Sequence, residues 1–182
     1  MSMDSIAFIG GGNMATSMVG GLIAKGHPGD AIWVTDVDET RLAALQDRFG
    51  VRTSKENGPA AARAKTVVLA VKPQVMSDVV AELAPTLREH APLVISIAAG
   101  VREPDIRRWL GHEAAIVRCM PNTPALLGVG ASALYANPFV SAVQRSSAQR
   151  VLSAAGTTVW VEQEDLLDAV TAVSGSGPAY FF

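Results

Sequence analysis

The 182-residue sequence contains a single cysteine, Cys119, so it can form neither an internal disulfide nor a cysteine-based zinc cluster. Its three histidines, His27, His90 and His112, are scattered. None has a second metal-type ligand at a chelating helical spacing, and no metal site is expected. Neither sign of charge dominates: 15 Lys and Arg against 17 Asp and Glu leave a formal charge of −2. That balance lacks the basic footprint of a nucleic-acid or membrane-surface binder. Aromatic residues make up only 5%, too few for a base-stacking surface. The longest purely apolar run, Val67 to Val71, is too short to cross a bilayer. No basic region leads into a long apolar stretch at the N-terminus, so no signal peptide is read there. The expectation is a reduced, soluble, cytoplasmic protein with no nucleic-acid or membrane partner.

Apolar residues are abundant, at 49%, and 29 of the residues are alanine. That supplies a sizeable core and suits helices packed closely on a sheet. Strand-like and helix-like segments alternate along the chain. Ile6 to Ile9 is a short apolar run that ends at three glycines, and Asn13 to Ala24 follows with Met14, Met18, Leu22 and Ile23 at helical spacings. Ala31 to Thr35 reads as a strand, and Asp38 to Phe49 as a helix with Asp38 available as its N-cap and Gly50 as its stop. Thr53 to Gly58 reads as a polar loop leading to a short Ala-rich helical turn. Val67 to Val71 is apolar throughout, as a strand covered on both faces should be. Beyond Pro73, the residues Val75, Met76, Val79, Val80, Leu83 and Ala84 form a helical stripe.

Leu93 to Ile97 and Ala115 to Arg118 read as further strands, with a short helix from Pro104 to Leu110 between them. Val129 to Tyr135 alternates weakly. Val140, Val143, Val151, Leu152 and Ala155 are assigned to one helix face, and Thr157 to Val161 to a β-branched strand. Leu166, Ala169, Val170 and Val173 are assigned to the packing stripe of a last helix. This rhythm predicts an α/β fold: a doubly wound, mainly parallel Rossmann-type sheet with helices on both faces. Residues 1–164 are read as a dinucleotide-binding domain, and 165–182 as the start of a connecting helix.

In such a fold ligands bind beyond the C-terminal ends of the strands. The candidates are therefore Gly10–Met14, Asp36, Lys72-Pro73, Ala98–Gly100 and Pro121–Pro124. Gly10-Gly11-Gly12-Asn13-Met14-Ala15 matches G-x-G-x-x-A. The pattern follows a strand, opens a helix, and has an acid at the end of the next strand, the context of a dinucleotide fingerprint. Glycines let a pyrophosphate approach the backbone, and the amides at the helix start receive its charge. A glycine-rich turn without ligand is the alternative. Asp36 suits the ribose hydroxyls of an adenosine, or else caps a helix, a task for which Asp38 competes. Lys72 is held extended by Pro73 and is either solvated or in contact with a cofactor. Asn57 by itself reads as a turn residue. The loop Pro121-Asn122-Thr123-Pro124 suits the wall of a small polar pocket, or is simply a stiff turn. Cys119 reads as a small buried hydrophobe. No His or Lys is placed for an acid–base relay, so no catalytic residue is assigned and a cofactor would carry the reaction.

The chain resembles the pyrroline-5-carboxylate reductase family. The matching segments are Phe8–Ala15, Ala70–Gln74, Ser96–Gly100, Arg118–Ala125 and Asp168–Tyr180, in the family's order. Met120–Pro124 and Ser174–Tyr180 are the specific ones. The resemblance implies hydride transfer from NADPH or NADH to 1-pyrroline-5-carboxylate, giving L-proline. It further implies that Ile9, Gly10, Gly11, Gly12, Asn13 and Met14 form the pyrophosphate loop and that Asn57 is an adenosine-side contact. Ala70, Val71, Lys72 and Pro73, with Ile97, Ala98 and Ala99, would run along the cofactor. Asn122 and Thr123 would stand beside the nicotinamide, and Glu164 on the substrate side.

In that family an all-helical domain follows, forms the dimer and supplies a glycine- and threonine-containing loop for the substrate carboxylate. This sequence stops at Phe181-Phe182, where that domain should begin, so the expectation is one part of a longer parent, a homodimer or higher homo-oligomer, with little activity in this part alone. Two other classes are weighed. A β-hydroxyacid-type dehydrogenase needs a catalytic lysine after the nucleotide domain, and no lysine follows Lys72. A non-catalytic nucleotide-binding module is the other.

Overall fold

Every residue of the first strand, β1 (Ile6–Ile9), is buried, which sets it at the centre of a sheet. The computed structural model describes residues 4–122, 124 and 129–176. After β1 come α1 (Asn13–Ala24), β2 (Ile32–Thr35), α2 (Glu39–Phe49), β3 (Arg52–Ser54), α3 (Asn57–Ala61), β4 (Thr66–Leu69) and α4 (Met76–His90). The chain continues through β5 (Leu93–Ser96), α5 (Glu103–Leu110), β6 (Ile116–Met120), β7 (Gly130–Ala136), α6 (Ala142–Leu152), β8 (Gly156–Trp160) and α7 (Leu166–Val170). A π-type turn over Thr171–Ser176 extends α7.

The strands form one sheet in the order β3-β2-β1-β4-β5-β6-β7-β8. The first six in that order are parallel, β7 is antiparallel to β6, and β8 runs parallel to β7. A parallel return from β6 would need a crossover of roughly a dozen residues or more. Residues 121–129 are too few for that, so the chain doubles back. One apolar layer joins β1 residues Ile6 and Phe8 to Met18, Val19 and Leu22 of α1, Leu42 and Leu45 of α2, and Val151 and Leu152 of α6. The other joins Ala7 and Ile9 to Met76, Val80, Leu83 and Leu87 of α4 and to Ile106 and Leu110 of α5. Helices therefore cover both faces, as the strand–helix rhythm predicts.

Three expectations are corrected. The polar stretch after Gly50 contains a strand, β3, which has no apolar run and pairs through its backbone with Trp33, Val34 and Thr35. Val143 is not on the buried face of α6: it is 77% exposed. That helix starts at Ala142 behind a Ser141–Gln144 capping box, and Ser147, Ala148, Val151 and Leu152 face inward instead. The stripe of α7 is also offset by one residue: Leu167 is buried, while Leu166 and Val173 are exposed. The inward positions 167, 170, 171 and 174 include two hydroxyls. These are tolerated because Thr171 donates to the carbonyl of Leu167 at 2.7 Å and Ser174 accepts from Asn122 at 3.0 Å.

Candidate functional site

Strand register brings the candidate loops together. Thr35, Ile9, Leu69, Ser96 and Arg118 form one row across β2, β1, β4, β5 and β6. The residues just beyond that row, Asp36, Gly10, Ala70 and Ile97, therefore share one edge of the sheet, at the point where the strand order reverses. The crossing from β1 into α1 is tight. The amide of Gly10 donates to the carbonyl of Thr35 at 2.8 Å. Gly10 sits at φ +103°, and a Cβ there would lie 2.8 Å from the carbonyl oxygen of Ala70. Only glycine fits that position.

Gly12 is the N-cap of α1, with no side-chain cap and no acidic residue in the first turn. A Cβ added to Gly12 would meet nothing within 4 Å. The helix start thus presents amides without intrahelical partners to open space, with the positive end of the helix dipole behind them. This fits the phosphates of a dinucleotide.

Asp36 is nearly buried, its side chain 8% exposed. Its Oδ2 accepts from the Gly11 amide at 2.8 Å and from Arg41 Nη1 at 3.0 Å, and its Oδ1 accepts from the Asp38 amide at 3.0 Å. Burial pushes the carboxyl upward, but the Asp38 and Gly11 amides and the Arg41 guanidinium outweigh it, so the group titrates below the usual aspartate range. The cap of α2 is Asp38, which accepts from the amides of Thr40 and Arg41. Asp36 is free of that task. Asn57, the first residue of α3, accepts from the Thr35 hydroxyl at 2.6 Å, which turns it toward the end of β2.

Lys72 is exposed and extended, at φ −63° and ψ 145°. Ala98 is buried, Ile97 half-buried and Ala99 exposed. At the end of β6, Asn122 accepts from the Ala131 amide at 2.9 Å and donates to Ser174 at 3.0 Å. It joins the start of β7 to the π-type turn. Thr123 lies outside the described residues. Glu164 does not reach Asn122: its Oε1 accepts from Arg118 Nη1 at 2.7 Å and from the Glu103 amide at 2.6 Å. Cys119 is wholly buried, and burial pushes its thiol up to about 12, which makes it inert at neutral pH.

Sequence reasoning gave no role to Arg118 or Ser174. The signal for Arg118 was a guanidinium within an otherwise apolar strand, a residue type almost never fully buried unless paired. Nothing local marked Ser174 as a partner of Asn122. Among the described residues there is no group of three or more His, Cys, Asp or Glu placed to hold a metal ion, and no helix is long and apolar enough to cross a membrane.

Residues 5–100, more than half of the chain, match the family described as NADP oxidoreductase coenzyme F420-dependent. The whole chain is similar to the pyrroline-5-carboxylate reductase of Pseudomonas aeruginosa, at 50% identity over 182 residues covering 66% of that protein. It is 40% identical to the enzyme of the same name from Pasteurella multocida, all of this chain aligning with 67% of that one. A solved pyrroline-5-carboxylate reductase from Coxiella burnetii superposes with a TM-score of 0.95 at 45% identity, covering 98% of this chain and 66% of that one. The Plasmodium falciparum pyrroline carboxylate reductase, solved with NADP bound, superposes with a TM-score of 0.84 at 26% identity, covering 100% of this chain and 66% of that one. The chain thus spans about two thirds of the length of the relatives it matches.

Proposed function

This chain belongs to the pyrroline-5-carboxylate reductase family, and from that premise we propose that it is the nucleotide-binding part of an NAD(P)H-dependent reductase of 1-pyrroline-5-carboxylate, forming L-proline. The observation that carries the proposal is the start of α1, where uncapped amides face a space that Gly12 leaves open. Ile9 to Met14 would hold the pyrophosphate. Asp36 and Asn57 would hold the adenosine side. The backbone of Ala70–Pro73 and Ile97–Ala99 would line the path across the sheet edge to Asn122 and Thr123. When bound, the reduced nicotinamide would supply a hydride to the carbon of C=N, and a proton taken from solvent at the nitrogen would complete CH–NH.

This chain's own residues bind and orient. The 310 turn after Lys72, with Pro73 at its first position, stiffens the middle of the path. The contacts of Asn122 with Ala131 and Ser174 fix the far end. We take residues 1–164 as the nucleotide domain and the segment from 165 as the start of a connecting helix; 177–182 lie outside the described residues. The substrate carboxylate site and the homo-oligomer contacts would lie in the part of the relatives' length that this chain does not span. The compartment consistent with its thiol chemistry is the cytoplasm.

Titration with NADPH, followed by nicotinamide fluorescence, tests the reading. A Cβ at Gly12 meets nothing within 4 Å, so Gly12→Val should still fold, at a cost of about 1 kcal/mol for the poorer N-cap, while abolishing binding. Unchanged affinity in Gly12→Val would remove the phosphate assignment. NADPH-dependent imine reduction by the full-length protein that carries this chain tests the activity.

A further inference from the structure

We propose that Glu164 is a positioning residue, whose carboxylate fastens the 161–176 segment to β6 and α5 and so holds Ser174 against Asn122 at the nicotinamide end of the site. The proposal rests on the dinucleotide reading above.

Arg118 brings a charge into the sheet, its side chain 5% exposed, and Glu164, at 14%, lies directly against it. Burying a guanidinium without an anion is costly. Glu103, the other carboxylate nearby, is already engaged, with Asn137 at 2.8 Å and Arg107 at 3.3 Å. Glu164 is therefore the group that balances Arg118 among the described residues. The same oxygen accepts from the Glu103 amide at the start of α5, where helix amides lack intrahelical partners. One atom thus ties the segment after β8 to both a central strand and a helix.

The other ionic links of this segment, Arg102 to Asp165 and Asp168, are half-exposed. Pairs of that kind hold weakly. From Glu164 the chain enters α7, buries Leu167, and reaches Ser174 seven residues later, where the hydroxyl accepts from Asn122. Since Asn122 also accepts from Ala131, its amide plane is fixed from both sides. The adenosine end, at Gly11, Asp36 and Asn57, is on β1, β2 and α3, on the far side of β4 and β5. Loosening Glu164 should disturb one end of the site and leave the other intact.

The test compares two ligands on the wild type and Glu164→Ala. NADPH reaches both ends of the site, whereas adenosine 2′,5′-bisphosphate reaches only the adenosine end. Glu164→Ala should weaken NADPH by about tenfold, a typical size for coupling between sites, and leave the bisphosphate unchanged. The Ala131 amide should exchange with deuterium faster, while the Gly10 amide stays protected. Glu164→Gln, which keeps an acceptor oxygen, should recover most of the NADPH affinity. If Glu164→Ala does not fold, Arg118→Met/Glu164→Leu removes both charges, and the same selective loss is expected. Equal weakening of both ligands, or unchanged NADPH affinity with unchanged Ala131 exchange, would overturn the proposal. A wild type that binds neither ligand overturns the dinucleotide reading itself, a result separable from the others.

Discussion

Asp36 and Gly11 are joined across the start of the site: the carboxylate at the end of β2 accepts the backbone amide in the turn between β1 and α1 at 2.8 Å. The acid of the fingerprint is thus part of the loop's own scaffold. Arg41 lies against the same oxygen at 3.0 Å and is half-exposed, so the corner is not simply anionic. By itself Asp36 would repel a 2′-phosphate. The Arg41 contact offsets that repulsion. Arg41→Ala should therefore weaken NADPH by roughly tenfold, the order expected for one charge-assisted contact, and change NADH by about threefold or less. Parallel fluorescence titrations read the difference, and equal effects on both nucleotides would show that Arg41 does not meet the phosphate.

Asp36 also makes acid stability readable. Its pKa is lower folded than unfolded, so its contribution is complete above the unfolded value of about 3.9 and is lost as pH falls through the folded value. The Asp36 share, read as the difference in urea midpoint between wild type and Asp36→Asn, should be constant downward from pH 6 and shrink below about pH 4. A difference that does not shrink would assign the acid sensitivity elsewhere.

His27 predicts a second window of opposite chemistry. The imidazole is buried, and its Nε2 has no hydrogen-bond partner among the described residues. Burial, reinforced by Arg150, depresses its pKa against the opposing pull of Asp4. The unfolded chain therefore binds the proton more readily, and stability should rise with pH up to about 6.5, above which the neutral ring is preferred in both states. Thermal melts between pH 5 and 8 should show that rise in the wild type and a flatter curve in His27→Gln.

Gly21 tests the packing of α1 on the turn before β8. A Cβ at this position would lie 2.0 Å from the carbonyl oxygen of Ala154, a backbone atom that cannot swing away. Gly21→Ala should destabilise the protein by about 2 to 3 kcal/mol, at the upper end of ordinary overpacking. Urea denaturation measures it, and a neutral result would mean that the 153–155 turn yields freely.

Ala91 tests backbone strain. It closes α4 in the left-handed region at φ 44°, the one non-glycine residue with positive φ among those described. Ala91→Gly removes the Cβ conflict at the expense of greater chain freedom when unfolded, and a net gain of about 0.5 to 1 kcal/mol is expected. A lower melting temperature would contradict it.

The sequence by itself determined the architecture and one end of the site. Short apolar runs alternating with 3.6-residue stripes require a sheet covered on both faces, and the glycines after Ile9 with Asp36 at the next strand end are local patterns. Local patterns are legible because neighbouring residues impose them directly through backbone geometry and capping. β3 is not legible in the sequence because its pairing with β2 rests on backbone hydrogen bonds that leave no apolar signature. The inward face of α7 lies one residue off the apolar stripe because it includes Thr171 and Ser174, whose hydroxyls are satisfied by Leu167 and by the sequence-distant Asn122, and apolar spacing cannot show that. The Arg118–Glu164 pair, 46 positions apart, was decided only by tertiary structure: a guanidinium within a strand needs an anion, but only the folded chain determines which carboxylate can reach it.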